Sequence, residues 1–170
     1  MLHFTSTNTS IGKIGLVREE DYLIKVSLPN EELTTTLLKK IYPGEKIDQT
    51  NSGFENIITQ LTEYFSRKRT QFDIKTKLIL PPFYLKVIET VAKIPYGQTV
   101  SYKQIADKVG NPKGARAVGT ANARNPLPII IPCHRVIATN GRLGGYAGGV
   151  NLKKYLIEFE RLNLKKKSNV

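Results

Sequence analysis

The sequence predicts an α/β domain over residues 1–80, followed by a mainly helical domain over residues 81–170 that contains a helix-turn-helix. Three observations carry this. Strand-like alternation and helix-like stripes are mixed in the first half, whereas helical signals dominate the second. Leu80-Pro81-Pro82 breaks the chain between them. Charge divides at the same place: residues 1–80 hold 11 Lys/Arg against 10 Asp/Glu, and residues 81–170 hold 15 against 4. A half of net +11 beside a nearly neutral half predicts a domain that binds a polyanion. The bland alternative is a solvated surface with a basic tail, but removing Lys165, Lys166 and Lys167 still leaves that half at +8.

Ile11 to Val17 reads as a first strand. Tyr22, Ile24, Val26 and Leu28 alternate with Leu23, Lys25 and Ser27, which predicts a second strand with one apolar face. Asn30 is placed to cap a helix carrying Leu33, Leu37, Leu38 and Ile41, and a loop follows around Pro43-Gly44. Ser52 and Glu55 have capping-box spacing ahead of a stripe formed by Phe54, Ile57, Ile58, Leu61, Tyr64 and Phe65. Arg67-Lys68-Arg69 sits at the end of that helix, where the macrodipole favours cations, so nucleic acid binding and helix capping weigh equally there. Phe72 to Ile74 reads as another strand.

In the second half, Pro82 suits a first helical turn, and Tyr84, Val87, Ile88 and Val91 give that helix a buried face up to Pro95. Tyr96-Gly97-Gln98 turns the chain. Ser101 and Gln104 form a second capping box for a helix through Val109, with Gly110 past its end. Asn111 and Pro112 predict the cap and first position of the next helix, which runs to Arg124. Helix, glycine turn, helix is the pattern of a helix-turn-helix. The second helix is rich in Ala and Gly. Such a surface suits close approach to a nucleic acid backbone or to another helix, and composition alone does not separate the two.

Leu127 to Ile131 reads as apolar and extended, and Cys133 follows it. Val136 and Ile137 predict a short hairpin turned by Asn140-Gly141. Leu143 to Gly149 is a glycine-rich loop whose backbone a flat ligand can approach. Asn151 is expected to cap a last helix carrying Leu152, Tyr155, Leu156 and Phe159. Residues 165–170 read as a disordered end.

Several classes are excluded. No apolar stretch approaches the ~20 residues of a membrane span. The opening Met1-Leu2-His3-Phe4-Thr5 lacks the charged-then-apolar pattern of a signal peptide. One cysteine forbids an intramolecular disulfide, and one Cys with two His argues against structural zinc.

A lone cysteine is more often a small buried apolar residue than a reactive one. Here it stands beside His134 and Arg135. Sequence neighbours share no face of a helix or strand, so Cys133 and His134 can communicate only through a water or a bent turn. Arg135 could lower the thiol pKa.

Ile131-Pro132-Cys133-His134-Arg135-Val136 resembles the active-site signature of the O6-alkylguanine-DNA alkyltransferase family. Ser101-Tyr102-Lys103-Gln104, Asn111-Pro112-Lys113, Ala115-Arg116-Ala117-Val118-Gly119, Asn125-Pro126-Leu127-Pro128, Gly145-Tyr146, Gly148-Gly149 and Glu160 also resemble family segments. The resemblance is specific over residues 95–160 and weak over residues 1–80. It implies a small ribonuclease-H-like mixed sheet with helices, then a winged helix-turn-helix domain. It also implies direct, single-use transfer of an alkyl group from O6-alkylguanine, and from O4-alkylthymine, to Cys133 after the base is flipped out of double-stranded DNA.

By position, the resemblance makes Cys133 the nucleophile, His134 its base through a water, and Glu160 the residue that orients His134. Asn125 would support the turn presenting the thiol, and Tyr102 would donate to the leaving base. Arg116 would take the place of the flipped base. Lys103, Asn111, Ala115, Gly119 and Thr139, with Tyr102, would face DNA. Pro128, Val136, Tyr146 and Ala147 would form the substrate pocket. The expectation is a cytoplasmic monomer with no cofactor and no metal, although some relatives carry zinc in the N-terminal part.

Overall fold

A computed structural model describes residues 1–168, and the chain divides into two compact units, residues 1–78 and 79–170. The first holds strands β1 (Leu2–Thr9), β2 (Gly12–Glu19), β3 (Tyr22–Ser27) and β4 (Ile47–Gln49), with helices α1 (Thr35–Ile41) and α2 (Glu55–Phe65). The sheet order is β3-β2-β1-β4. β1 and β3 are antiparallel to β2, and β4 lies parallel to β1. This is the small mixed sheet with helices that the sequence predicted. Leu2, Phe4, Val17 and Leu38 form a buried cluster, against which Ile24, Leu33, Tyr42 and Ile47 pack. Leu2 and Phe4 share one face of β1, whereas Ile14, Leu16 and Val17 are all buried in β2, which is therefore covered on both faces.

Three local expectations in this unit are corrected. Thr34, not Asn30, caps α1: its hydroxyl accepts from the Leu37 amide at 3.1 Å. The Ser52/Glu55 box does not form, because α2 begins one residue after Phe54, which makes no side-chain cap. Phe72 to Ile74 is not a strand. That segment is held by Gln60, whose carboxamide donates to the Asp73 carbonyl and accepts from the Asp73 amide, both at 2.8 Å. β1 and β4 are present in addition to the strands expected from the sequence.

The second unit holds α3 (Pro82–Ala92), β5 (Val100–Ser101), α4 (Tyr102–Lys108), α5 (Ala115–Ala123), a 3₁₀ turn (Cys133–Arg135), β6 (Val136–Ile137) and α6 (Val150–Ser168). Pro82 opens α3, and the Ser101/Gln104 capping box is formed in both directions, at 2.7 and 3.1 Å. α4 and α5 pack through Ile105, Ala106, Val118 and Ala121, all buried, as the helix-turn-helix pattern requires.

Here too some details differ. Asn111 does not cap α5; its carbonyl accepts from the Gly114 amide at 2.8 Å in a separate turn, and the helix starts at Ala115. Asn151 lies inside α6, which starts at Val150, rather than capping it. Val136-Ile137 pairs in parallel with β5 rather than in a hairpin, although the Asn140-Gly141 turn is present, with the Ala138 amide bonded to the Arg142 carbonyl at 2.8 Å. Residues 165–168 are helical, not disordered; the same expectation for Asn169 and Val170 lies outside the described residues. No helix among the described residues is long and apolar enough to cross a membrane.

Candidate functional site

The segment before Cys133 is a tight turn rather than an extended strand. Ile129 has φ 75°, a costly conformation for a β-branched residue. The turn is closed by the Ile131 amide on the Leu127 carbonyl at 2.8 Å. Asn125 clamps it from one side chain: Nδ2 donates to the Ile131 carbonyl at 2.9 Å, and Oδ1 accepts from the Leu127 amide at 3.0 Å. Pro128 is buried within this turn. Asn122 of α5 adds a bond from Nδ2 to the Cys133 carbonyl at 3.2 Å. The backbone that carries the thiol is thus fixed at both ends.

Behind it lies a buried charged cluster. Glu160 of α6 is 1% exposed and His134 0%. Glu160 Oε1 meets His134 Nε2 at 2.8 Å. Arg135 donates to the same carboxylate from Nε and Nη2, both at 2.9 Å, and from Nη1 to the Ile94 carbonyl at 2.6 Å. The Gly97 amide donates to Glu160 Oε2 at 2.9 Å. Gly97 has φ 74°, and a side chain there would collide with Leu164, so only glycine brings this amide to the carboxylate.

Burial would raise the Glu160 pKa, but the hydrogen bond from His134 and the bonds and charge of Arg135 outweigh it and hold it at about 2. Burial lowers the His134 pKa, against the pull of Glu160. An ionised carboxylate only accepts, so the neutral imidazole carries its proton on Nε2 and presents a lone pair at Nδ1. Nδ1 is buried and has no partner among the described residues. Burial raises the Cys133 pKa, with the Asn125 side chain and the Lys153 charge opposing it, so the resting group is a thiol that needs a base. Arg135, expected to act on the thiol, is instead spent on Glu160; the cation that acts on Cys133 is Lys153.

A pH dependence follows. Both Glu160 and His134 have folded pKa values below their ordinary ones of 4.5 and 6.5, so the unfolded chain binds protons first as pH falls. Stability is full above about pH 6.5, declines below it, and is lost further from about 4.5 toward 2, by on the order of 3 kcal/mol for Glu160. Denaturant midpoints measured between pH 7 and 3 should fall accordingly. A midpoint unchanged over that range would contradict the charged cluster.

A cleft of about 820 Å³ opens beside this cluster. It is lined by Tyr102, Lys103, Ala115, Arg116, Gly119, Thr139, Tyr146 and Ala147 from the expected set. Thr120, Asn122, Ala123, Ala138, Gly144 and Gly145 complete it. Asn111 is exposed and outside the lining, and Pro128 and Val136, both buried, also lie outside it. Ala115, Gly119 and Ala123 share the open face of α5, whereas Val118 and Ala121 pack inward. A Cβ at Gly119 would meet Tyr102 only at 3.9 Å, so internal packing does not demand the glycine. Gly144 is different: with φ 71°, a Cβ there would lie 2.7 Å from the Tyr102 hydroxyl.

Two residues of the site were not identified from sequence. Asn122 lay in a helix without a signal for its bond to Cys133. Lys153 carried no local signal that sets it apart from its neighbour Lys154. Instead Lys153 is fully buried and donates to the Tyr102 hydroxyl and the Gly145 carbonyl, both at 3.3 Å.

The fold and site define a class: a mixed α/β unit joined to a helix-turn-helix unit that holds a buried thiol backed by a His–Glu pair. Residues 2–78 match the model described as 6-O-methylguanine DNA methyltransferase, ribonuclease-like domain, and residues 82–162 match the DNA binding domain of the same family. The chain belongs to the 6-O-methylguanine DNA methyltransferase family. A Bacillus subtilis methylated-DNA–protein-cysteine methyltransferase, constitutive, is 38% identical over 98% of this chain and 100% of its own. The Mycobacterium tuberculosis OGT structure in complex with DNA has a TM-score of 0.85 at 35% identity, covering 95% of this chain and 94% of that one. The Methanococcus jannaschii O6-methylguanine DNA methyltransferase structure has a TM-score of 0.62 at 34% identity, covering 93% of each.

Proposed function

We propose that the protein repairs O6-alkylguanine, and O4-alkylthymine, in double-stranded DNA by moving the alkyl group irreversibly to Cys133. The observation that carries this reading is the thiol turn backed by His134–Glu160 and set beside an open helix-turn-helix cleft. Residues 81–170 are the DNA-binding and active-site domain, and residues 1–80 the α/β domain.

The thiol proton passes through a water to His134 Nδ1, and Glu160 steadies the imidazolium that results. Sγ attacks the alkyl carbon, the S–C bond forms, and the C–O6 bond breaks. Guanine leaves with negative charge, and the Tyr102 hydroxyl supplies a hydrogen bond or proton to it. The product is a thioether, which has no leaving group to release, so each molecule acts once. No cofactor or metal enters the balance, and the protein works as a cytoplasmic monomer.

The damaged base must leave the stack to reach a buried sulfur. Pro128 and Tyr146 wall the pocket, and the backbone at Val136 and Tyr146-Ala147 reads the guanine edge. Arg116, exposed on α5, fills the space left in the duplex. Ala115 and Gly119 let α5 lie close in the minor groove, while Lys103, Asn111 and Thr139 hold the strands. Such contacts are mostly to phosphate and independent of sequence.

The test is nucleoside analysis of a duplex carrying O6-methylguanine after incubation with the protein. One guanine should be restored per protein molecule, and no more. Restoration of none by folded protein, or of many, would contradict the proposal. Arg116→Ala should slow repair of the duplex on the order of tenfold or more, the scale of a lost charge-assisted contact, while sparing reaction with free O6-benzylguanine. Equal losses on both substrates would remove the base-replacement role.

A further inference from the structure

Lys153 is a lysine on α6 with 0% of its side chain exposed. A buried ammonium is costly unless something needs it there. Among the described residues, no carboxylate is bonded to it. Its contacts are the Tyr102 hydroxyl and the Gly145 carbonyl, each at 3.3 Å, and its Nζ lies 5.6 Å from the centre of the Tyr102 ring.

We propose that Lys153 is a positioning residue that aims the Tyr102 hydroxyl proton into the cleft while tying the glycine loop to the same point. This rests on the reading of Tyr102 as donor to the leaving base. An ammonium has three N–H donors and no acceptor. In the Lys153–Tyr102 bond the hydroxyl oxygen must therefore accept, and its own hydrogen is left to point elsewhere. Tyr102 lines the cleft, so the direction left open is toward the bound base. A neutral acceptor in place of Lys153 would draw that hydrogen inward and silence the donor.

The ammonium also polarises the hydroxyl it bonds, which makes its proton a better one to give as guanine takes up charge. The bond to the Gly145 carbonyl sets the loop beside the same hydroxyl, and Gly144 closes against Tyr102 without room for a side chain. One cation thus fixes the donor and the wall next to it.

A double-mutant cycle tests this with the full-length protein and an O6-methylguanine duplex. Lys153→Met and Tyr102→Phe are each expected to slow single-turnover transfer on the order of tenfold to a hundredfold, the range for a hydrogen bond to a group that becomes charged. The pair together should be little slower than Tyr102→Phe alone, because Lys153 acts through the hydroxyl. Losses that multiply would overturn the proposal. Lys153→Arg keeps a cation that only donates and should recover part of the rate lost in Lys153→Met; no recovery would count against positioning. If Lys153→Met does not fold, the cycle with Lys153→Gln decides in the same way. Wild-type protein that transfers no methyl would defeat the parent reading, whereas active wild type with a multiplicative cycle defeats this inference alone.

Discussion

Cys133→Ala is expected to end alkyl transfer completely while leaving duplex binding within a few fold of wild type. The substitution removes one sulfur from a buried position, 4% exposed. The bonds that shape the turn go to backbone atoms, with Asn122 on the Cys133 carbonyl and Asn125 on the Ile131 carbonyl, so the turn survives. The cavity left is about one heavy atom, worth ~1 kcal/mol, well within what a domain tolerates. The cleft residues on α4 and α5 are untouched. Transfer measured by mass and binding measured by fluorescence anisotropy separate the two effects. Residual transfer would mean a different nucleophile, and loss of binding would mean that the turn, not the thiol, was disturbed.

Glu160→Gln should have the second largest effect, on stability and on rate together. The carboxylate accepts from His134, from Arg135 twice and from Gly97. Removing its charge leaves the Arg135 guanidinium buried without compensation, at a cost of ~3–5 kcal/mol. It also removes the group that fixes the proton on His134 Nε2, so Nδ1 no longer stands ready as a base. The expected result is a lower denaturation midpoint together with slow transfer in the folded fraction. The exposed pair Lys154–Glu158, at 3.9 Å, provides the contrast: Glu158→Gln should change stability by ~0.5 kcal/mol or less. Similar effects from the two substitutions would contradict the buried cluster.

The helices of the second unit were legible because their signals are local. The Ser101/Gln104 box and the Pro82 start depend on neighbours in sequence, and both appear in the structure. β1 was missed because His3, Ser6, Thr7 and Asn8 dilute its apolar pattern; it is a strand because β2 and β4 flank it. β4 has three residues and exists only as a partner of β1. Asn30, Ser52, Asn111 and Asn151 all have cap chemistry, but where a helix starts was decided by packing and turns a few residues away.

The site divides along the same line. The Cys133 turn was legible as a motif. The His134–Glu160 contact bridges 26 residues and was proposed from resemblance, and the structure brings the two to 2.8 Å. Arg135 was read as acting on the thiol because it is adjacent, yet its fork fits the carboxylate better. Lys153 gave no sign of burial in the sequence, since it sits beside Lys154 on a helix that ends in three lysines.

The most direct test of the account is the intact mass of the protein after incubation with a duplex carrying a single O6-methylguanine, followed by peptide mapping. The account predicts a gain of one methyl group per molecule, located on Cys133, with no further gain when more duplex is added. An unchanged mass from folded, DNA-bound protein, or a methyl group on any other residue, would contradict it.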